Sequence, residues 1–230
     1  YSQIELRVLA HLSQDSNMIN TFLQELDIHS STASLIYNVA IDQVTEEMRR
    51  VAKVLNFGVA YGVSAYGISQ QTQLSIESGA EFIEHYFNQF PTIKKYQDST
   101  KDFARTNGYV ETLLGRRSYI REILSSNSVV RLASERYAIN MPIQGTAAEI
   151  LKLAMLCISK ELKAENMQSS MLLQIHDELV FETPNDEIEH LSLQLKQTME
   201  NVFEDFSEKI NFSVPLRVTI KTGDSLADLE

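Results

Sequence analysis

The chain of 230 residues is long enough for one large domain or two smaller ones, and 43% hydrophobic with 22% charged residues is the balance of a globular protein that buries a sizeable core. One cysteine, Cys157, excludes an internal disulfide framework and a cysteine-built zinc site, and it suits a reducing cytoplasm. The net charge of −11 argues globally against a nucleic-acid binder, but acids crowd residues 186–208 while Arg49, Arg50 and Lys53, then Arg116, Arg117 and Arg121, then Arg131 and Arg136 form local basic clusters. No apolar run approaches the length of a membrane span. The first residues carry neither an initiator Met nor a signal-peptide pattern, as expected of a segment that starts inside a domain.

Residues 1–4 read as the end of a strand. Residues 5–13 read as a helix with Leu6, Val8, Leu9 and Leu12 inward, residues 15–26 as a second, and residues 27–38 as a third with Asp27 as its N-cap. Thr45 is expected to cap the next helix, with Glu46 and Glu47 favourably placed in its first turn. On that helix Arg49, Lys53, Phe57 and Tyr61 recur every four residues. Each such step turns about 40°, so the four trace one slowly curving stripe. Two cations followed by two rings can hold a polyphosphate and flank a base or sugar. An ordinary amphipathic helix, with solvated cations and buried rings, has the same spacing. Gly58 and Gly62 each lower helix propensity by roughly 1 kcal/mol, which fits close approach of a ligand or fraying at a helix end.

Residues 75–90 are strongly periodic, with Ile76, Ala80, Ile83, Phe87 and Phe90 expected on the core face. Pro91 begins a further helix that Gly108 ends. Residues 109–114 and 118–120 flank Gly115-Arg116-Arg117 and read as a hairpin with a basic tip. Residues 127–140 are helical, Pro142 is expected to interrupt, and Gln144 begins a long apolar helix to about Asn166. Arg136, Asn140 and Gln144 are polar residues at steps of four. An acidic amphipathic helix over residues 185–206, with Ile188, Leu191, Leu195, Met199, Val202 and Phe206 inward, and a last strand over residues 214–221 complete the chain.

Residues 172–182 read Leu-Leu-Gln-Ile-His-Asp-Glu-Leu-Val-Phe-Glu. The apolar flanks, residues 171–175 and 179–181, read as buried strands around a polar bend of His176, Asp177 and Glu178. Adjacent carboxylates in a buried hairpin repel and are costly to desolvate, and a divalent cation would relieve both. A solvated acidic turn is the plain alternative.

Three stretches together, Tyr-Ser-Gln-Ile-Glu-Leu-Arg at residues 1–7, the Arg49/Lys53/Phe57-Gly58/Tyr61-Gly62 helix, and Gln174-Ile175-His176-Asp177-Glu178, resemble the three polymerase motifs of family A DNA polymerases, in the family's order. Arg136, Asn140 and Gln144-Gly145 resemble the segment before its last motif. The resemblance covers essentially the whole chain. It implies an α+β right-hand polymerase fragment: an antiparallel palm sheet, built from the hairpin, residues 1–4 and the last strand, with a mostly helical fingers subdomain. Residues 1–14 would be palm, 15–130 fingers and 131–230 palm, with thumb and exonuclease preceding Tyr1.

The implied reaction is attack of a primer 3′-hydroxyl on the α-phosphate of a deoxynucleoside triphosphate with release of pyrophosphate. Two Mg²⁺ ions about 3.5–4 Å apart would assist it. By the resemblance, Asp177 is a metal ligand supported by Glu178, and the backbone carbonyl of Tyr1 is another. Arg49 and Lys53 bind the triphosphate, Lys53 also serving as acid for the leaving pyrophosphate. Phe57 stacks on the incoming nucleotide, and Glu5 and Tyr61 leave no room for a 2′-hydroxyl. His176 contacts the primer end or the triphosphate. Arg136, Asn140 and Gln144 reach the minor-groove side of the nascent duplex, where correct pairs present similar acceptors. The partners would be primer-template DNA and deoxynucleoside triphosphates, with no membrane, in a monomeric enzyme of the bacterial cytoplasm.

Two departures matter. The family's aspartate immediately before Tyr1 is outside this chain, so the chain is expected not to polymerise alone. Phe57, where relatives can carry Tyr, goes with poor use of dideoxynucleotides. Arg121 stands where many relatives have proline and is given no function. Three other readings share some of these features. A single-subunit RNA polymerase has the Arg/Lys/Tyr helix and a His-Asp pair, but Glu5, Phe57-Gly58 and Glu178 favour the DNA enzyme. A His-Asp metal phosphohydrolase would need further ligands such as His11 or His29. A non-catalytic nucleic-acid-binding fragment is the third.

Overall fold

Side-chain caps begin most of the helices, so local sequence accounts for their positions. The computed structural model describes residues 1–72, 74–204 and 210–229. The chain divides into two compact units, Glu5–Thr146 on the one hand and Tyr1–Ile4 with Ala147–Glu230 on the other.

In the unit Glu5–Thr146, α1 (Ile4–Ser13) buries Leu6, Val8 and Leu9, while Leu12 is half-buried. The Asp15 carboxylate accepts the Asn17 and Met18 amides at the head of α2 (Ser16–Leu23). Asp27 accepts the Ser30 amide at the head of α3 (Ile28–Tyr37), and left-handed Asn38 ends it. Thr45 caps α4 (Glu46–Ala60) by accepting from the Met48 amide. After α5 (Ala65–Gln71), Ser75 caps α6 (Ile76–Gln89), and α7 (Pro91–Asn107) ends at left-handed Gly108. These ends follow from the capping preferences of Asp, Thr and Ser and from the freedom of Gly at positive φ.

The face expected for α6 is only partly right: Phe90 is buried and Ile83 and Phe87 are half-buried, but its first turns face outward. Ile76 is 48% exposed and Ala80 is exposed, whereas Gly79, Tyr86 and the C-cap Phe90 are buried. A Cβ on Gly79 would sit 3.0 Å from the Ala65 carbonyl oxygen. The missing side chain therefore lets α6 close on α5 with the Gly79/Tyr86 face inward. Gly58 is a packing glycine too, since a Cβ there would meet Val63 Cγ1 at 2.7 Å.

Strands β1 (Tyr109–Glu111) and β2 (Arg117–Tyr119) pair antiparallel, as expected of the basic-tipped hairpin. Arg117 is not free at its tip: its guanidinium bonds Glu111 at 2.7 Å and lies 4.5 Å from the Tyr109 ring centre. Val110, Ile120 and Ile123 pack with Ala104 and Ala138.

Pro142 does not interrupt. One helix, α8 (Ser128–Ala164), runs through it. An interior proline costs about 3 kcal/mol. Burial of Ile139, Ile143, Ile150 and Leu151 offsets that at roughly 1.5–3 kcal/mol per large aliphatic side chain. The Tyr96 hydroxyl also reaches the Ile139 carbonyl at 3.4 Å, in the turn preceding the proline. By length and composition α8 could cross a bilayer, contrary to the expectation that no run comes close. Half of its most apolar window is buried within the chain, as in a core helix.

In the second unit, β3 (Ser170–Ile175) and β4 (Glu178–Glu182) form an antiparallel pair with a bulge between Met171 and Leu173. The expected buried strands are only half right. β4 is partly covered, but Leu172, Leu173 and Ile175 on β3 are 53%, 50% and 45% exposed. Among the described residues no third strand lies on β3. The expected strands at residues 1–4 and 214–221 are absent too, so no larger palm sheet forms among the described residues. Ser2 makes one backbone bond, to the Arg217 carbonyl at 2.8 Å, but the next donor, Val218 N–H, goes to the Glu200 carboxylate at 3.1 Å. A side chain has taken the place of a ladder bond. α9 (Ile188–Glu200) buries Leu191, Leu195 and Met199 as expected, and Val202 just beyond it is buried in a turn. Phe206 lies outside the described residues.

Candidate functional site

Helix α4 packs on α3, α5 and α6 through Val51, Ala52, Leu55, Asn56 and Val59, each at most 3% exposed. That buried face turns the Arg49, Lys53, Phe57 and Tyr61 stripe to the boundary between core and solvent. Lys53 is exposed, and Arg49, Phe57 and Tyr61 are half-buried. Tyr61 is the C-cap, and Gly62 follows at φ 65°, so the second glycine serves the turn that ends the helix. The sequence spacing is therefore preserved as one physical stripe.

Arg49 does not stand free. Its Nε and Nη2 donate to the two carboxylate oxygens of Asp27 at 3.2 and 2.8 Å. The same carboxylate caps α3. Partial burial would raise the Asp27 pKa, but the hydrogen bonds from Arg49 and Ser30 overcome it and bring it down to about 2. Two residues on, buried His29 sits with its ring centre 5.7 Å from that of Phe57, and its Nδ1 is 3.1 Å from Asn56 Nδ2. Burial pulls the His29 pKa down to about 4. Asp27 opposes this, and Arg49 and Lys53 add to it.

Asp27, His29, Arg49 and Lys53 thus form one electrostatic group beside the Phe57 ring. From the sequence alone Asp27 reads only as an N-cap and His29 only as a ligand in a phosphohydrolase, and Asn56 carries no role. The one available signal was a lone amide on the otherwise apolar face of α4.

Arg136, Asn140 and Gln144 lie on successive turns of α8, exposed, half-buried and exposed. A Cβ on Gly62 would be 3.3 Å from Arg136 Cγ, so the end of the α4 stripe adjoins the start of this row. The Asn140 Oδ1 is buried without a hydrogen-bond partner among the described residues. Gly145 meets the β1–β2 hairpin: its Cβ would be 2.6 Å from Thr112 Cγ2, and Thr146 Oγ1 accepts the Leu113 amide at 2.9 Å. Glu5 is half-buried in the first turn of α1.

The remaining candidates belong to the second unit. The β3–β4 bend is His176-Asp177, with Glu178 opening β4. His176 has φ 54°, a left-handed conformation that costs a non-glycine residue roughly 1–2 kcal/mol. The Tyr1 nitrogen donates to the Asp177 carbonyl at 2.9 Å. The Asp177 and Glu178 carboxylates both act electrostatically on that nitrogen, so the Tyr1 backbone lies within reach of both acids. The Tyr1 hydroxyl anchors the residue by donating to the Met199 carbonyl at 2.9 Å, and burial first, then Cys157 and Glu200, raise its pKa.

Tyr1, Asp177 and Glu178 are therefore neighbours. Among the described residues no group of three or more His, Cys, Asp or Glu side chains could hold a metal. The bend instead offers two carboxylates and backbone oxygen. Such hard donors fit Mg²⁺, which keeps waters and takes substrate phosphates to complete its shell. The same finding leaves a His-Asp phosphohydrolase without its ligand set among the described residues.

Helix α4 thus carries a stripe of cations and rings, and the β3–β4 bend carries two acids. The chain belongs to DNA polymerase family A, whose model matches residues 1–228. It is similar to DNA polymerase I of Bacillus caldotenax, 46% identical over 228 residues that make up 99% of this chain and 25% of the relative. Thermostable DNA polymerase I of Thermus aquaticus is 46% identical over 224 residues, 97% of this chain and 26% of that one. Among solved structures, the POL domain of Pol1 from M. smegmatis, in complex with DNA primer-template and dNTP, superposes with a TM-score of 0.88 at 43% identity, covering 95% of this chain and 37% of its own. The chain thus spans about a quarter of the length of these curated relatives.

Proposed function

We propose that the chain is the fingers, residues 15–130, and part of the palm, residues 1–14 and 131–230, of a template-directed DNA polymerase. The observation that carries this reading is α4, which holds Arg49, Lys53, Phe57 and Tyr61 on one side in a chain that the family model covers nearly end to end. Arg49 and Lys53 bind the triphosphate of the incoming deoxynucleotide, and exposed Lys53 delivers a proton to the leaving pyrophosphate. Phe57 stacks on the nucleotide. Glu5 and Tyr61 exclude a 2′-hydroxyl. Arg136, Asn140 and Gln144 read the shape of the new base pair, and His176 contacts the primer end or the triphosphate.

Family A DNA polymerases use divalent metal ions. Asp177, Glu178 and the Tyr1 carbonyl are the groups here that would hold Mg²⁺. When bound, the ions supply Lewis-acid activation of the 3′-hydroxyl and charge neutralisation at the phosphates. The residues of this chain contribute position and fixed positive charge, which is most of what phosphoryl transfer asks of a protein. The enzyme acts as a monomer on primer-template DNA.

Primer extension by the full-length protein tests the proposal. Asp177→Asn and Lys53→Ala should each lower kcat by roughly a hundredfold or more, with deoxynucleotides strongly preferred over ribonucleotides and over dideoxynucleotides. Full activity in both variants, or equal use of ribonucleotides, would overturn it.

A further inference from the structure

Tyr61 ends α4 rather than standing inside it, so its ring is aimed by the turn that closes the helix. In that turn the Val63 amide donates to the Gly58 carbonyl at 2.8 Å and the Gly62 amide to the Val59 carbonyl at 3.0 Å, with Gly62 left-handed at φ 65°. This pairing satisfies carbonyls that a helix end leaves open. A further donor comes from α7. Gln97 is 5% exposed, and its Nε2 donates to the same Val59 carbonyl at 2.6 Å. A carbonyl only accepts, so the amide atom beside it is the NH₂ group. An apolar side chain would serve packing, whereas a buried amide is costly unless it is used. The turn also meets α8: a Cβ on Gly62 would be 3.3 Å from Arg136 Cγ and 3.6 Å from Ile139 Cδ1. The neighbouring Tyr96 hydroxyl donates to the Ile139 carbonyl at 3.4 Å. Two consecutive residues of α7 thus hold the α4 turn and the stretch of α8 that it packs against.

We propose that Gln97 is a positioning residue for sugar selection: by anchoring the Val59 carbonyl it fixes the turn that carries Tyr61, and so sets how strongly a ribonucleotide is rejected. The inference rests on the polymerase reading for its substrate, but not for the anchored turn. A side chain excludes one extra hydroxyl only if it cannot step back, and a site of this kind must hold its geometry to about 0.5 Å. A helix end frays unless its last turn is tied. Gln97 is buried, so it acts through the turn and not by touching the nucleotide.

The test uses the full-length protein and the ratio of kcat/KM for deoxynucleotide to that for ribonucleotide. Gln97→Met keeps the side-chain length and removes the donor. It should lower the ratio about three- to tenfold, the worth of one neutral hydrogen bond, by better use of the ribonucleotide, with kcat/KM for deoxynucleotide changed less than about twofold. In the Tyr61→Ala background Gln97→Met should lower the ratio no further. Amide hydrogen exchange in the wild type needs no variant to fold: Gly62 and Val63 should be protected to within about tenfold of Leu55 in the middle of α4. An unchanged ratio overturns the proposal whether or not overall activity falls, because Gln97 would then serve packing alone. A further fall without Tyr61 overturns it too, as does exchange at Gly62 and Val63 as fast as at a frayed end. Wild-type protein that incorporates no nucleotide would sink the polymerase reading instead, and the exchange rates would still decide whether the turn is anchored.

Discussion

Helix α4 and the β3–β4 bend both carry charges proposed to act on a nucleotide, yet they are supported in opposite ways. The α4 cations stand on a helix whose other face is sealed into the core, with Arg49 held by Asp27 and His29 by Asn56. The acids Asp177 and Glu178 stand at the end of a two-stranded ladder whose outer strand is half exposed, beside a strained His176. Fixed charge in the first case comes with local stability. In the second, the bend closes a ladder with one half-exposed strand, and the Tyr1 nitrogen donates to the Asp177 carbonyl. A rigid cation helix suits a binding step that must find its ligand prearranged. A lightly supported acidic bend suits groups whose repulsion is relieved only when a cation arrives.

The contrast is broken most directly in the core of α4. Leu55 is fully buried, so Leu55→Ala should cost about 2–5 kcal/mol. Leu173→Thr on exposed β3 should stay within about 0.5 kcal/mol. Hydrogen exchange on the α4 and β3 amides reads both. Comparable losses in the two places would remove the distinction.

Acid comes next. The His29 pKa lies below its usual value, near 4 against about 6.5 in an unfolded chain. The unfolded state therefore binds the proton first, and the stability due to the neutral ring is complete above about pH 6.5 and is lost as pH falls towards 4. The loss is up to about 3 kcal/mol by the unit-for-unit conversion. Urea midpoints at pH 7.5 and 4.5 should differ more in the wild type than in His29→Gln, and an equal fall in both would contradict the assignment.

How far each region was legible follows from how local its causes are. Asp27 and Thr45 as N-caps, Pro91 as a first helical residue and Gly108 as a helix end are legible from residue type alone, and the structure agrees at each, whereas Asp15 and Ser75, expected as the first residues of their helices, turn out to cap them. The α4 stripe was legible because a period of four survives in any helix. What escaped depends on distant partners. The α6 face turns on Gly79 meeting Ala65, and the missing strand at residues 214–221 turns on Glu200 taking the Val218 donor. His29 and Asn56 are 27 residues apart, and neither predicts the other.

Asp27 sharpens the comparison further, because it serves two masters. Asp27→Asn keeps an N-cap but gives up the ion pair with Arg49. Both partners are 37% exposed, so the loss of stability should be under about 1 kcal/mol. The nucleotide effect runs the other way. Without a competing carboxylate the Arg49 guanidinium is released to the triphosphate, and KM should fall about two- to fivefold. A rise in KM would mean that Asp27 aims Arg49 at the ligand rather than withholding it. Steady-state kinetics in the full-length protein separates these outcomes.

The smallest effect tests the other side. At φ 54° the His176 backbone is strained, and glycine there would relieve roughly 1 kcal/mol. Glycine also gains freedom in the unfolded chain, which takes back about 0.5–1 kcal/mol. His176→Gly should therefore leave stability within a few tenths of a kcal/mol of the wild type, while His176→Ala, which keeps the strain, should not gain. If activity falls in both variants alike, the imidazole itself contacts substrate. If it falls in His176→Ala less than in His176→Gly, the left-handed backbone is what aims Asp177, and the strain belongs to the site rather than to the turn.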